Sequence, residues 1–310
     1  MNTPMMTISR IAVAVMLLSL WSCIDRDLCY DHTHMMDVEV KFDWSKEPDA
    51  SPSTMVVHFF SPDGRHYKRY EFTDKNGGKI RVEAGEYMLL FHNGEMEWVR
   101  ERGNSWDSYE LYTLEEGLLE PMSRDMPAPP RPSISADEPV RYAPETIWGG
   151  ALEQAEVKQG SAPAVVTLTP EKATASYTVE VTDVKNLSEN LDISAAISGM
   201  AESHSPAKGA PAGQRVTIPL ALERPDNHTL TTRFVAFGHC PESETSHIFT
   251  IYTSEKIYYN FDVTDQVHDA PDPTDIHIRL TGLTLPTADS GMAPSVDDWD
   301  NIDDILIKLD

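Results

Sequence analysis

The sequence predicts an all-β protein built as two tandem β-sandwiches. Three observations carry that prediction. Apolar and polar residues alternate over short runs, the pattern of a strand with one buried and one solvated face. Turn-forming residues recur at intervals of about ten, the spacing of sandwich strands. The first half has no run of useful length with the helical period of about 3.6. At 310 residues the chain is long for one small domain and comfortable for two. With 40% hydrophobic and 24% charged residues it has the balance of a chain that folds.

The first segment is an export signal. Met1 to Arg10 is polar with one basic residue, Ile11 to Trp21 is apolar except for Ser19, and Ser22 is small. The apolar run is too short to span a bilayer as a helix, and no later segment reaches spanning length. Leu20-Trp21-Ser22-Cys23 resembles the bacterial lipobox, in which the cysteine is acylated and becomes the first residue of the mature chain. That resemblance implies a signal peptide over 1–22, Cys23 as the lipidation site carrying palmitate-like chains, and a lipidated tether over 23–34. Two or three acyl chains on one residue hold a protein firmly, where a single chain holds it marginally. The alternative is a plain cleaved signal followed by an incidental cysteine. Asp25 and Asp27 sit where acidic residues mark surface display of lipoproteins in Bacteroidetes-like bacteria, again as a resemblance.

The N-terminal sandwich is expected over 35–160. Met36, Val38, Val40 and Phe42 alternate with Asp37, Glu39 and Lys41. "MVVHFFSPDGRHYKRYEF" reads as a hairpin about a Ser-Pro-Asp-Gly turn, with Tyr67, Tyr70 and Phe72 as the apolar bulk of its second strand. "NGGKIRVEAGEYMLLFHN" reads the same way, Ile80 and Val82 leading through Ala84-Gly85 into the run Tyr87 to Phe91. Residues 121–146 are proline-rich, supply ladder donors irregularly, and are expected to form a long extended loop or strap.

The C-terminal sandwich is expected over 161–310, with the division near 155–165. Its strand candidates are "AVVTLTP", "ATASYTVEVTDV", Ser194 to Met200, Arg215 to Leu222, Thr229 to Phe237, the pair "HIFTIYT" and "KIYYNFDVTDQV", and "DIHIRLTGLTL". The chain closes on Ile305, Ile307 and Leu309, alternating with Leu306 and Lys308. Such a strand either pairs inside its own sheet or offers an edge for strand exchange with another subunit.

Chemistry-bearing residues are sparse. Apart from Cys23 the cysteines are Cys29 and Cys240, and their separation carries no framework signature, although an exported location permits a disulfide between them. His239 beside Cys240, and the pair His32 and His34, lack a second pair at metal-ligand spacing, so no metal is expected. Asp297, Asp298, Asp300, Asp303 and Asp304 lack the central glycine and terminal glutamate of a calcium loop and read as a charged turn. No nucleophile elbow, zinc-protease helix or phosphate loop occurs, so neither an enzyme nor a cofactor is expected. "EWVRERGNSWDSYELY" sets Trp98, Trp106, Tyr109 and Tyr112 among charged and turn residues. These aromatics either form a surface for a sugar or protein partner, or pack inward over the edge of a core. Fifty acidic residues against 25 basic ones give a net charge of -25, which repels phosphate backbones and excludes nucleic acid as a partner.

Several stretches carry a family resemblance. "ATASYTVEVTDVKNL", "ISGMAES", "TTRFVAFG", "NFDVTDQV" and "PSVDDWDNIDDILIKL" resemble Bacteroidales lipoproteins of the DUF5119 group, which are related to fimbrillins. "VEAGEYMLLFHN" is similar to the first domain of fimbrial anchor subunits of the FimB/Mfa2 kind. The resemblance runs from Cys23 to the C-terminus. It implies two transthyretin-like sandwiches held at the outer membrane, surface-exposed, with other fimbrillin-like subunits as partners joined by strand exchange. A stalk subunit would lose its N-terminal segment after a basic residue, for which Arg26 and Lys41 are available. The expected function is therefore a non-enzymatic, lipid-anchored anchor or accessory subunit of a fimbria-like assembly. The alternative is a surface lipoprotein that binds glycans through Trp98, Trp106 and the nearby tyrosines.

Overall fold

The structure, a computed structural model, describes residues 34–119, 131–160, 162–240, 245–254, 257–286 and 306–307. It is almost entirely β, and its strands form four sheets. From Met36 onward they belong to one compact unit. Among the described residues no helix is long and apolar enough to cross a membrane.

In the first sandwich β1 (Met35–Phe42) lies between β4 (Gly77–Glu83) and β9 (Ala164–Leu168). β1 and β9 run parallel, with Val38 opposite Ala164 and Phe42 opposite Leu168. The facing sheet has the order β10 (Glu171–Lys172), β8 (Trp148–Val157), β5 (Gly85–Asn93), β2 (Met55–Phe60), β3 (His66–Phe72). The alternation read in residues 36–42 sends Val38, Val40 and Phe42 inward, where they join Met55, Phe59, Leu89, Phe91 and Leu168 in one core. The hairpin over 55–72 forms as expected, closed by Gly64 N–H donating to the Ser61 carbonyl at 2.8 Å. The expected hairpin over 76–93 does not form. β4 and β5 are separated by Ala84 alone, too little for a two-residue hairpin turn, and the chain instead crosses from one sheet to the other.

The second sandwich has a four-stranded sheet in the order β14 (Glu223–Asp226), β15 (Thr229–Ala236), β11 (Ala175–Thr182), β18 (Asp275–Thr281). The facing sheet runs β19 (Leu306–Ile307), β17 (Tyr258–Asp262), β16 (Ile248–Thr253), β12 (Ile193–Ser205), β7 (Glu110–Thr113), β6 (Val99–Arg102). β13 (Ala210–Ala221) follows the other side of β12. Tyr177, Val179 and Val181 face Ile197, Met200, Phe249, Ile251 and Phe261 across the core.

Three further features depart from the expected layout. β9 and β10 pair within the first sandwich, so the chain passes to the second at about Ala173 and not near 155–165. The segment after Asp262, read as strand, forms a short helix, α1 (Thr264–His268). The Asp262 carboxylate accepts from Thr264 N–H at 3.1 Å and its hydroxyl at 2.6 Å, a local turn that ends the ladder. Most consequentially, β6 and β7 come from the first half of the chain yet join the second sandwich, Leu111 opposite His204 and Tyr112 opposite Ser203.

That hairpin explains why β2 is buried at all six positions. Met55, Val57 and Phe59 fill the first core. Phe60, with Leu90 from β5, meets Val99, Tyr109, Leu111, Ile147, Ala201 and Phe237 in a separate apolar seam between the sandwiches. A sheet covered on both faces needs continuous apolar runs, which "MVVHFF" and "YMLLFHN" supply. The described part of the proline-rich segment, 131–146, is a strap along the outer edge of β13. Thr217 N–H donates to the Pro139 carbonyl at 2.9 Å and Arg141 N–H to the Thr217 carbonyl at 3.0 Å. Glu138, buried beneath it, accepts from Gly199 N–H at 3.1 Å and the Thr217 hydroxyl at 2.9 Å.

Candidate functional site

The four aromatic residues singled out in the sequence lie on or beside the β6–β7 hairpin, and the structure sends them in different directions. Trp98 stacks on Tyr142 of the strap, ring centroids 3.9 Å apart and planes within 14°. Trp106 stands edge-on to Phe60 at 5.9 Å. Tyr112 lies under the Arg102 guanidinium at 5.0 Å. Tyr109 is buried in the seam. They form no single stacking platform; each ties the hairpin to a different neighbour.

The hairpin turns at Gly103, whose φ of +86° favours glycine and where a Cβ would meet the Ser108 carbonyl oxygen at 2.0 Å. Its outer end is fastened by charge. Arg102 donates to Glu110 through Nε at 3.0 Å and Nη2 at 2.7 Å, and reaches Glu202 Oε2 on β12 at 3.2 Å. Arg141 from the strap donates to the other Glu202 oxygen at 3.0 Å. Burial works to raise the Glu202 pKa, but the Arg102 hydrogen bond and the two guanidinium charges outweigh it and hold the carboxyl below the usual range. Strap, hairpin and β12 thus share one carboxylate.

Beneath the hairpin lies a polar cluster that the sequence reading did not assemble. His58 on β2, His92 on β5, Glu101 on β6 and Tyr109 meet where the second face of the five-stranded sheet enters the seam. His92 Nδ1–H donates to the Asn93 carbonyl at 2.7 Å, so its bare Nε2 accepts the Tyr109 hydroxyl at 2.9 Å. The Tyr109 oxygen in turn accepts from His58 Nε2–H at 3.0 Å. His58 Nδ1 then accepts from His66 Nε2–H at 3.1 Å. Glu101 closes the cluster, 3.3 Å from His58 Nε2 and 3.5 Å from Arg69 Nε. Burial drives the His92 pKa down to about 4. Burial opposes ionisation of Glu101 too, but the His58 hydrogen bond, the His92 and His58 charges and Arg69 prevail and lower it to about 2. Burial raises the Tyr109 phenol. The chemistry is that of a hydrogen-bonded plug in which the Glu101 carboxylate faces Arg69, suited to holding the seam in one register. The sequence signal for it is a histidine at an otherwise apolar position in each of two strands buried on both faces.

The C-terminal strand is described only at Leu306 and Ile307. They pair parallel with β17, Leu306 opposite Asn260 and Ile307 opposite Phe261, at the edge of the sheet. Ile305 and Leu309 lie outside the described residues. So do Cys23, Cys29, His32, Asp25, Asp27, Arg26 and the acidic cluster 297–304. Cys240 is buried and its thiol is free. The opposite sheet of the same sandwich has a protected edge: the Gln266 side chain on α1 accepts from Arg279 N–H at 2.7 Å and donates to the Arg279 carbonyl at 3.1 Å, filling two positions of the open ladder of β18.

Comparison with known proteins gives concordant results. The family model described as a domain of unknown function, DUF5119, matches residues 22–221. A Bacteroides ovatus protein named "Putative fimbrium anchoring subunit Fim4B" is 23% identical over 227 residues, covering 73% of this chain. The match spans 63% of that relative's length. The crystal structure of a "putative adhesin" from Bacteroides ovatus superposes with a TM-score of 0.65 at 18% identity, over 83% of this chain and 94% of the other. The fimbrial anchor protein Mfa2 from Porphyromonas gingivalis gives 0.51 at 15% identity, over 80% and 91%. These structures establish the all-β fold.

Proposed function

Because this chain belongs to the DUF5119 family, we propose that it is a non-enzymatic subunit of a fimbria-like assembly, displayed at the cell surface and held to the outer membrane by lipid on Cys23. The name of the Fim4B relative supports the assembly role. Cys23, at the exit of an apolar run, supports the attachment.

The observation that carries the joining mechanism is the edge of β17. This five-residue strand is met by Leu306 and Ile307 in parallel. Parallel pairing is slightly weaker per residue than antiparallel pairing, and among the described residues this ladder is two residues long. A strand donated by another subunit gains main-chain hydrogen bonds by taking that place, or the C-terminal segment itself leaves to pair with a neighbour. β1 offers a second seat. It is the middle strand of its sheet, and cleavage after Lys41 would open a groove between β4 and β9. An anchor keeps β1 together with its lipid, whereas a stalk subunit would lose both.

Deleting residues 305–310 tests the joining mechanism in cells that express the companion subunits. The expected result is loss of co-purification with those subunits while the protein still fractionates with the outer membrane. Unchanged co-purification would remove strand exchange at this edge. Cys23→Ala tests the attachment separately, and retention of that variant in the outer membrane would remove it. The glycan-binding reading gains no support from the geometry, since Tyr109 is buried and one face of Trp98 is covered by Tyr142.

A further inference from the structure

A second group of histidines lies in the C-terminal sandwich, away from the seam. His239 follows β15, His247 immediately precedes β16, and His268 ends α1. One ring nitrogen from each lies within 4.8 Å of the others. His247 is fully buried. The ring centroids are 4.9 Å apart for His239 and His268, 5.0 Å for His247 and His268, and 5.7 Å for His239 and His247.

The surroundings set the protons. His247 Nδ1 is 3.1 Å from the Ser198 carbonyl, and His239 Nδ1 is 3.1 Å from the Cys240 carbonyl. A carbonyl only accepts, so each Nδ1 carries the hydrogen and each Nε2 keeps a lone pair. Metal-bound histidines are commonly oriented in this way, the remote ring nitrogen donating to a backbone carbonyl. His247 Nε2 and His268 Nε2 are 3.1 Å apart. Two nitrogens on a tetrahedral zinc ion, each at about 2.0–2.1 Å, stand roughly 3.3 Å apart.

The backbone is shaped around the buried ring. Gly199 has φ +79°, and a Cβ there would fall 2.7 Å from His247 Nδ1 and 2.5 Å from the Ser246 carbonyl oxygen. It sits at the register shift of β12 between Ile197 and Met200, and bulges of this kind re-aim neighbouring groups. The His247 main chain is fixed as well, its N–H donating to the Thr264 hydroxyl at 2.9 Å and its carbonyl accepting from Val263 N–H at 2.9 Å.

From this geometry we infer that His239, His247 and His268 form a binding site for a divalent transition-metal cation. Three neutral imidazoles suit zinc and leave a fourth position for water or a ligand. In the metal-free protein His268 Nε2–H donates to His247 Nε2; on binding, His268 presents its Nε2 lone pair and the proton moves to Nδ1. The ion would link the β15–β16 connection, the start of β16 and the helix that follows β17. The seam cluster is a poorer site. There the Tyr109 hydroxyl already occupies both histidine Nε2 atoms, and Arg69 brings a positive charge to Glu101.

The test uses the full chain without an affinity tag, titrated with Co²⁺ as a spectroscopic probe and with Zn²⁺ in competition. One equivalent of Co²⁺ with the intense visible absorption of a tetrahedral site is expected, displaced by Zn²⁺. His239→Gln and His268→Gln are each expected to weaken uptake at least about 100-fold, beyond the 10- to 100-fold typical of losing an outer-shell partner. Both residues keep contact with solvent, and their metal-free melting curves serve as the folding control. His277→Gln, at a histidine outside the cluster, should bind as the parent does. Absence of tetrahedral absorption in the parent overturns the proposal, and so does binding that both cluster variants leave unchanged.

Discussion

The two histidine clusters contain similar donors and differ in what surrounds them. In the seam, His58 and His92 have their Nε2 atoms filled by the Tyr109 hydroxyl, and Glu101 is shared between His58 and Arg69. In the second sandwich the Nε2 atoms of His239 and His247 are left as acceptors, and the charge bearing on His247 from outside the cluster is an anion, Asp262. The same residue type therefore serves as an internal hydrogen-bonding part in one place and as a convergent donor set in the other. What differs is the partner of the buried lone pair: the Tyr109 hydroxyl at His92 Nε2 in the seam, and another imidazole of the same cluster at His247 Nε2 in the second sandwich.

The strongest test of that contrast lies in the apolar wall of the seam. Phe60→Ala removes a fully buried ring and is expected to cost about 3–5 kcal/mol, read by chemical denaturation. A cost below about 1 kcal/mol would mean that the seam is not a core. Acidification comes next. Burial lowers the pKa of His92 and of His204 from 6.5 to about 4. Between those values the unfolded chain takes up protons that the folded chain refuses, so stability is complete above pH 6.5 and falls as the pH drops toward 4. The loss is of order 3 kcal/mol for a fully buried histidine such as His92. Melting midpoints measured between about pH 7 and pH 4 check this, and a flat profile would contradict it.

Tyr109→Phe keeps the ring and removes the hydroxyl that joins the two histidines. The expected cost is about 1–3 kcal/mol, because His92 Nε2 is left buried without its donor; urea denaturation of the variant beside the parent measures it. The smallest effect belongs to the other cluster: without metal, His268→Gln should stay within about 0.5 kcal/mol of the parent. A large loss there would make the two clusters alike in kind.

Much of this architecture is legible in the sequence, and what is not has a physical reason. Residues 36–42 and 175–182 alternate cleanly and form the strands expected of them. β8 escapes a reading by alternation because "WGGALEQAEV" pairs two glycines with few apolar residues; Gly149 lies so close to β5 that a Cβ would meet the Phe91 carbonyl oxygen at 2.4 Å. The β6–β7 hairpin stands out for its aromatics, but its destination depends on pairing with Ser203 and His204, which no local pattern encodes. The seam cluster is hidden for a similar reason. His58 and His92 stand in apolar runs where alternation counts them as strand positions, and Glu101 and Tyr109 reach them only after the hairpin has docked. His239, His247 and His268 are likewise brought together by a bulge and a helix end, and not by spacing.

The placement of β6 and β7 also bears on the order of folding. β1 finds its parallel partner in residues 164–168, and β7 finds its neighbour at residues 203–204. Neither pairing can form while the chain is still emerging through its first half, so completion of the N-terminal sandwich waits on residues far downstream. High separation between partners slows folding and leaves strand edges open in the meantime. Cutting the chain between its sandwiches would therefore not yield two halves that fold: the first would carry a hairpin without a sheet, and the second a sheet without its last two strands.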